Sequence, residues 1–379
     1  ADHTRFDGFV LVPVRGRYYA VRPWLTVGID LYTRCIWSAV VSLSPPSTRT
    51  LSALLRIGVL PKNGVNWDAA SPYPMHGVPE VILTDRGSEF LSEYWSLTAA
   101  RVGFEFRICP EPSLKAVVER FFGTVASNFC SGLPGRSFAN VAERGAYEAG
   151  SNAALLMPEL LRQFMLWVMD VDHNRPRKAL GGKTPLEVWQ EAIEDPDMQP
   201  LAVNDVDTFL IAISQVETRM ITNKGVRVGG AFYASDDAQR LFATYGVGKT
   251  YEVRYEATDR SMIYLLDPDE HRWLTLTCTT PKLIADLDVT DWLKTVKLDH
   301  ATGNVEDVAA AAQLKIAEER KAVKKAQKKG ARPKTGDKVS DVKKALPPKP
   351  KVSAASRQNA RKPVSPKTTA IRGQYAVKF

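Results

Sequence analysis

The sequence predicts an α/β or α+β domain, then a small all-β barrel, then a basic and largely disordered tail, and three observations predict it. β-rich runs precede helical ones up to about residue 190. After Asp195-Pro196-Asp197 the runs become short, β-prone and regularly spaced by turns. From residue 329 large apolar side chains become scarce while Pro, Lys and Ser accumulate.

In the first region, residues 9–14, 24–29 and 36–43 are rich in β-branched and aromatic side chains and are separated by turn-forming or charged residues, which predicts three consecutive antiparallel strands. Residues 48–60 have helical spacing, 80–84 read as a short buried strand, 89–102 as a helix and 104–109 as a strand. The predicted order is β-β-β-α-β-α-β-α. Residues 115–129 and 158–171 continue as helices, and Thr184-Pro185-Leu186-Glu187 opens another with proline in its first turn.

Residues 209–213, 219–222, 226–228, 251–255, 262–266 and 273–278 supply the barrel strands, separated by turns such as Asn223-Lys224-Gly225 and Asp267-Pro268-Asp269. The expected domains are residues 1–195, the barrel at 206–285, a helical extension at 286–328 and a basic disordered linker at 329–367. Residues 368–379 regain apolar and aromatic side chains, and Tyr375 and Phe379 mark them as a partner-binding peptide on a tether.

Of 379 residues 44% are hydrophobic, and no apolar run reaches the length of a membrane span. Ala1-Asp2-His3-Thr4 lacks the basic-then-apolar pattern of a signal peptide, so a cytoplasmic location without membrane partners is expected. Cys35, Cys109, Cys130 and Cys278 form no C-x-x-C pair and read as buried thiols. The net charge of +9 is unevenly placed: residues 312–379 hold 20 Lys+Arg against 4 Asp+Glu, leaving 31 against 38 in the rest. A net-negative body must meet DNA through local basic patches and bound cations.

Chemistry concentrates in acidic residues. Val81-Ile82-Leu83-Thr84-Asp85-Arg86-Gly87-Ser88-Glu89-Phe90 delivers an aspartate at the carboxyl end of a strand, the edge where open α/β sheets bind ligands. In Lys115-Ala116-Val117-Val118-Glu119-Arg120-Phe121-Phe122-Gly123-Thr124, Glu119 and Arg120 lie off the apolar stripe of a helix. Asp2 starts the first strand, whose hairpin is expected to continue through residues 9–14. Asp30 also ends an apolar strand and competes with Asp2, whereas Asp7 points to the opposite strand face. His3 and His173 read as structural or DNA-contacting histidines.

Acids from a first strand, a fourth strand and the following long helix resemble the retroviral integrase and transposase superfamily. Asp2-His3-Thr4 and Arg22-Pro23-Trp24-Leu25-Thr26-Val27-Gly28-Ile29-Asp30-Leu31-Tyr32-Thr33-Arg34-Cys35-Ile36 are similar to the opening strands of the Mu/TnsB type of DDE transposase, as in Tn-seven-like and CRISPR-associated transposons. Asp172-His173-Asn174-Arg175-Pro176-Arg177-Lys178 through Trp189 resembles the integrase-core ending of that group, and the β-rich region stands where its C-terminal barrel does. Two departures stand out: Pro112-Ser113-Leu114-Lys115-Ala116 replaces frequent glycines, and Arg86 replaces an asparagine.

The resemblance implies a ribonuclease-H-like core with a mixed five-stranded sheet and helices, and DNA 3′-end cleavage followed by strand transfer. Asp2, Asp85 and Glu119 are then both the catalytic residues and the metal ligands, for two Mg²⁺ with Mn²⁺ able to substitute. Such ions, about 4 Å apart, activate a nucleophile and stabilise a leaving oxygen; Asp2 bridges both, and Asp85 and Glu119 complete one site each. Arg86, Lys115, Arg120, Arg175, Arg177 and Lys178 flank the motifs as candidates for phosphate contact. Also implied are transposon-end and target DNA, a homo-oligomer of tetramer type, a TnsC-like AAA+ ATPase reached through the tail, and N-terminal end-binding domains that make this sequence a fragment. A nuclease that cuts without joining, and a noncatalytic DNA-binding protein, remain open alternatives.

Overall fold

The computed structural model describes residues 1–14, 17–62, 67–85, 87, 89–109, 112–134, 155–256, 259–281 and 303–304. All belong to one unit, Ala1–Glu319; the second unit, Arg320–Phe379, with the predicted linker, Tyr375 and Phe379, lies outside them. So do the predicted extension, apart from residues 303–304, and Arg86.

Strand β1 (Asp2–Arg5) is followed by β2 (Val10–Val14), β3 (Arg17–Val21), β4 (Trp24–Ile29) and β5 (Ile36–Ser42). β1, β4 and β5 form an antiparallel sheet with Asp2 opposite Val27, while β2 and β3 pair with each other in a separate sheet. This corrects the expectation of three consecutive paired strands through residues 9–14, 24–29 and 36–43. Arg17–Val21, an unanticipated strand, offers β2 a nearer partner, and the hairpin is inserted between β1 and β4.

Helix α1 (Thr48–Val59) crosses behind β4 and β5, and β6 (Val81–Thr84), α2 (Glu93–Val102) and β7 (Glu105–Ile108) form a parallel β-α-β unit. The expected five-stranded mixed sheet is thus a three-stranded and a two-stranded sheet. Among the described residues one hydrogen bond joins their edges, from the Ala1 nitrogen to Leu83 O at 2.6 Å. Trp37 packs against bare backbone: a Cβ at Gly28 would stand 2.7 Å from its ring, and one at Gly58 would overlap it. That leaves space for an indole whose Nε1 donates to Gly77 O at 3.1 Å.

Helix α3 (Pro112–Thr124) runs into a π-helical turn at Val125–Phe129, and α4 (Met157–Trp167) into another at Val168–Asp172. Phe121, Val125, Phe129 and Phe164 close a core with Phe6, Leu25, Val27 and Ile36, so the face of α3 bearing Glu119 and Arg120 is left exposed. Helix α5 (Pro185–Ala192) starts with a capping box in which Thr184 Oγ1 accepts the Glu187 N–H at 3.2 Å and Glu187 Oε2 accepts the Thr184 N–H at 2.8 Å.

Residues 209–213, expected as a strand, lie instead in helix α6 (Val206–Ile213). Asp205 caps it, accepting from Asp207 N at 3.0 Å and from the Thr208 hydroxyl at 2.6 Å, and this start signal overrides the β-prone Phe209-Leu210-Ile211. β8 (Gln215–Thr222), β9 (Gly225–Val228), β10 (Ala231–Ala234), β11 (Thr250–Tyr255), β12 (Met262–Leu266) and β13 (Trp273–Cys278) close a six-stranded barrel. Its β10 and the helix α7 (Asp236–Tyr245) that follows were not foreseen. The barrel interior is filled by side chains such as Tyr233, Val253, Ile263 and Leu276. Gly303–Asn304 pairs with β3.

Candidate active site

β1 carries Asp2 to the edge where β6 ends, and the parallel β6 delivers Asp85 just past its last residue. The Asp85 carboxylate accepts the Gly87 N–H at 2.9 Å and the Asp2 carboxylate that of His3 at 2.8 Å, so each begins with a backbone anchor. Both line one cavity of about 570 Å³, walled by Asp30 to Thr33, Cys109, Lys115, Val117, Val118, Trp189 and Leu201, among others. Burial, and then the charge of Asp85, raises the Asp2 pKa, against the pull of the His3 N–H and Lys115. Two carboxylates that repel each other while half-buried leave a charge that a cation would balance.

Glu119 is not placed with them. It is exposed on α3, one turn beyond the cavity-lining Lys115 and on the same helix face, and among the described residues no three His, Cys, Asp or Glu side chains could hold one ion. Asp2 and Asp85 are hard oxygen donors of the kind a divalent ion takes, whereas Glu119 is not among the residues that line the cavity.

The competitors of Asp2 are occupied by the fold. Asp30 lines the cavity, but its Oδ1 accepts from the N–H groups of Tyr32 at 2.7 Å and Thr33 at 3.4 Å, closing the β4–β5 turn. Asp7 pairs with Arg22 at 2.8 Å. His173 Nε2 accepts the Ile36 N–H at 3.0 Å, and burial, then Arg177 and Lys62, pushes its pKa down to about 3. It is a neutral structural acceptor.

Sequence reasoning missed Glu89. Its carboxylate stands 3.2 Å from His3 Nε2, while His3 Nδ1 faces the buried Thr26 Oγ1 at 2.7 Å and the ring stacks on Phe90 at 5.1 Å. A Cβ at Gly87 would strike Glu89 and stand 3.1 Å from Asp85 Oδ1. The available signal was the spacing Asp85-x-Gly87-x-Glu89, which read only as a turn and a helix start.

Of the predicted basic residues, Lys115 lines the cavity and acts on Asp2. Arg120 is exposed, its Nε donating to Ala116 O at 2.9 Å, and Arg177 pairs with the buried Asp172 at 2.7 Å. Arg175 and Lys178 are exposed on the same loop. No helix among the described residues is long and apolar enough to cross a membrane.

Residues 1–135 match the family described as the TnsB C-terminal domain. Over 272 residues the chain is 28% identical to the transposase for transposon Tn552 of Staphylococcus aureus, covering 71% of this chain and 51% of that protein. It thus spans about half the length of the curated relative it matches. Both findings support the resemblance to a TnsB-type transposase. Among solved structures, the HTLV-2 integrase catalytic core domain in complex with magnesium overlaps 49% of this chain and 93% of its own at 15% identity and a TM-score of 0.25. A simian T-cell lymphotropic virus intasome in complex with PP2A regulatory subunit B56 gamma overlaps 73% and 74% at 14% identity and 0.28. Overlaps this loose carry no inference.

Proposed function

We propose that this chain is the catalytic portion of a DNA transposase of TnsB type, with a ribonuclease-H-like core that cuts transposon 3′ ends and joins them to target DNA. The observation that carries the reading is the pairing of Asp2 and Asp85 at one end of a cavity inside the segment that matches the TnsB family. Divalent ions bound there would supply an activated water or 3′-hydroxyl and a stabilised leaving oxygen. The chain's own residues hold the acids in place: β1 and β6 bring the two carboxylates to a shared edge, and the Gly87 N–H orients Asp85. Glu119, exposed one turn beyond Lys115 on α3, would be the third ligand of this reading. Lys115, Arg120, Arg175, Arg177, Lys178 and Arg86 guide phosphates toward the cavity.

The partners of this reading are transposon-end and target DNA, further copies of the chain on that DNA, and an AAA+ regulator engaged by Tyr375 and Phe379. The decisive experiment is strand transfer with labelled, precut transposon ends and Mg²⁺. The intact chain joins ends to target, whereas Asp85→Asn and Glu119→Gln each lose about a hundredfold or more, the scale of several kcal/mol of charge stabilisation. Cutting without joining would favour a nuclease, and joining retained by Asp85→Asn would overturn the assignment.

A further inference from the structure

Arg120 and Arg177, from two other elements, act electrostatically on Arg34 beside the acidic cavity. Arg34 occupies the β4–β5 turn at a φ of 65°, held there by its N–H donating to Asp30 O at 2.9 Å. Two residues on, the Ile36 N–H bonds to His173, which places this turn against the loop carrying Arg177. Arg120 arrives on α3, whose Lys115, Val117 and Val118 line the same cavity as Asp30 to Thr33.

Such a gathering of like charges costs free energy and persists only where something offsets it. Burial, then Arg120 and Arg177, pushes the Arg34 pKa below its ordinary value. Asp30 opposes this only in part, its Oδ1 being shared with the Tyr32 and Thr33 amides, and Asp172 is engaged by Arg177. Arg34 Nη1 is fully buried and has no hydrogen-bond partner among the described residues. Arg34 as a whole is only partly buried, so an anion with several acceptor oxygens can reach its guanidinium and offset both the like charges and the unsatisfied Nη1.

We propose that Arg34, together with Arg120 and Arg177, binds a single phosphate of the DNA backbone beside the Asp2–Asp85 cavity. Arg34 was not foreseen as a DNA ligand, because a turn arginine carries no periodic signal. A phosphodiester suits the site because a planar guanidinium pairs with two of its oxygens at once. The inference rests on the reading of the chain as a DNA-acting enzyme.

The test is salt-dependent binding of the full chain to a labelled duplex, comparing Arg34→Gln, Arg34→Lys, Arg120→Gln and the Arg34→Gln/Arg120→Gln double variant. Losing one phosphate contact flattens the slope of log K against log salt by about 0.9. Arg34→Gln is expected to show that loss, Arg34→Lys to retain most of the slope, and the double variant to lose little beyond Arg34→Gln, since one phosphate is shared. Free Arg34→Gln should also melt no lower than the parent, as like-charge pressure is relieved. An unchanged slope in both single variants overturns the site, as does a lowered melting point with an unchanged slope. If Arg34→Gln fails to fold, exposed Arg120 carries the same slope test. Absence of DNA binding by the parent sinks the functional reading itself, a result distinct from a parent that binds with a slope indifferent to Arg34.

Discussion

His173 Nε2 accepts the backbone N–H of Ile36 at 3.0 Å, tying the loop after α4 to the start of β5. The ring is fully buried, with Arg177 and Lys62 as its charged neighbours. Protonation would destroy the acceptor and add a third positive charge. The unfolded histidine titrates near 6.5 and the folded one near 3, so the unfolded state binds the extra proton first. His173 therefore contributes stability that is complete above pH 6.5 and is lost as pH falls toward 3. The slope is about 1.4 kcal/mol per pH unit inside that window. Denaturant unfolding of the parent and His173→Gln at pH 7.5, 6.5 and 5.5 should show the gap between them narrowing toward acid; a constant gap would sink the assignment.

A second joint binds core to barrel. Arg56 on α1 meets Glu256, just past β11, at 2.7 Å, and Glu256 is 5% exposed. Removing the arginine takes a cation away from a buried carboxylate, which costs about 3–5 kcal/mol in fully buried pairs. Arg56 is 35% exposed, so solvent screening lowers the expectation for Arg56→Ala to about 2 kcal/mol. Adding Glu256→Gln should return part of that loss, and a double-mutant cycle by denaturant unfolding reads the coupling. Additive single losses would show that the pair contributes nothing of its own.

How far the sequence revealed this molecule follows from what each signal encodes. Period-2 alternation and turn residues located β4, β5, β11, β12 and β13, because such patterns are local. Pairing is not local: nothing in residues 9–14 announces that Arg17–Val21 is the partner rather than Trp24–Ile29. Residues 209–213 misled because β-propensity reflects packing context, whereas the Asp205 cap acts on the backbone directly. At the candidate site, Asp85 was legible from its place at a strand end. Glu89 was hidden by its turn-like surroundings, and the exposure of Glu119 outside the cavity follows from the tertiary packing of α3, which no local pattern encodes.

Trp37 permits a packing test free of catalytic assumptions. A methyl group at Gly58 overlaps its indole, which is wedged between β4 and α1 and tethered to Gly77 O. Alanine gains about 1 kcal/mol of helix propensity over glycine, while overpacking costs about 1–3 kcal/mol. The collision meets the body of a ring rather than the end of a flexible chain, so overpacking prevails and Gly58→Ala should lower stability by about 1 kcal/mol. Combining it with Trp37→Leu should reverse the sign of the glycine substitution. A stabilised Gly58→Ala protein in thermal melts would show that the ring is free to move.

Asp2 and Asp85 impose opposite demands with and without a cation. Alone, burial and then the charge of Asp85 raise the Asp2 pKa, so ionised Asp2 works against the fold near neutral pH. Replacing it with asparagine removes the repulsion, and Asp2→Asn should melt higher than the parent in chelator while losing strand joining. A divalent ion inverts the balance, because binding to the folded form alone stabilises by about 1.4 kcal/mol at ten times its dissociation constant. Thermal melts over a Mg²⁺ series should therefore show a rising midpoint for the parent and a flat one for Asp2→Asn and Asp85→Asn. Glu119→Gln, altered at the offset acid, should keep part of the shift. Equal Mg²⁺ responses in all four proteins would place any ion elsewhere, and the two aspartates would then be no more than strand-end anchors.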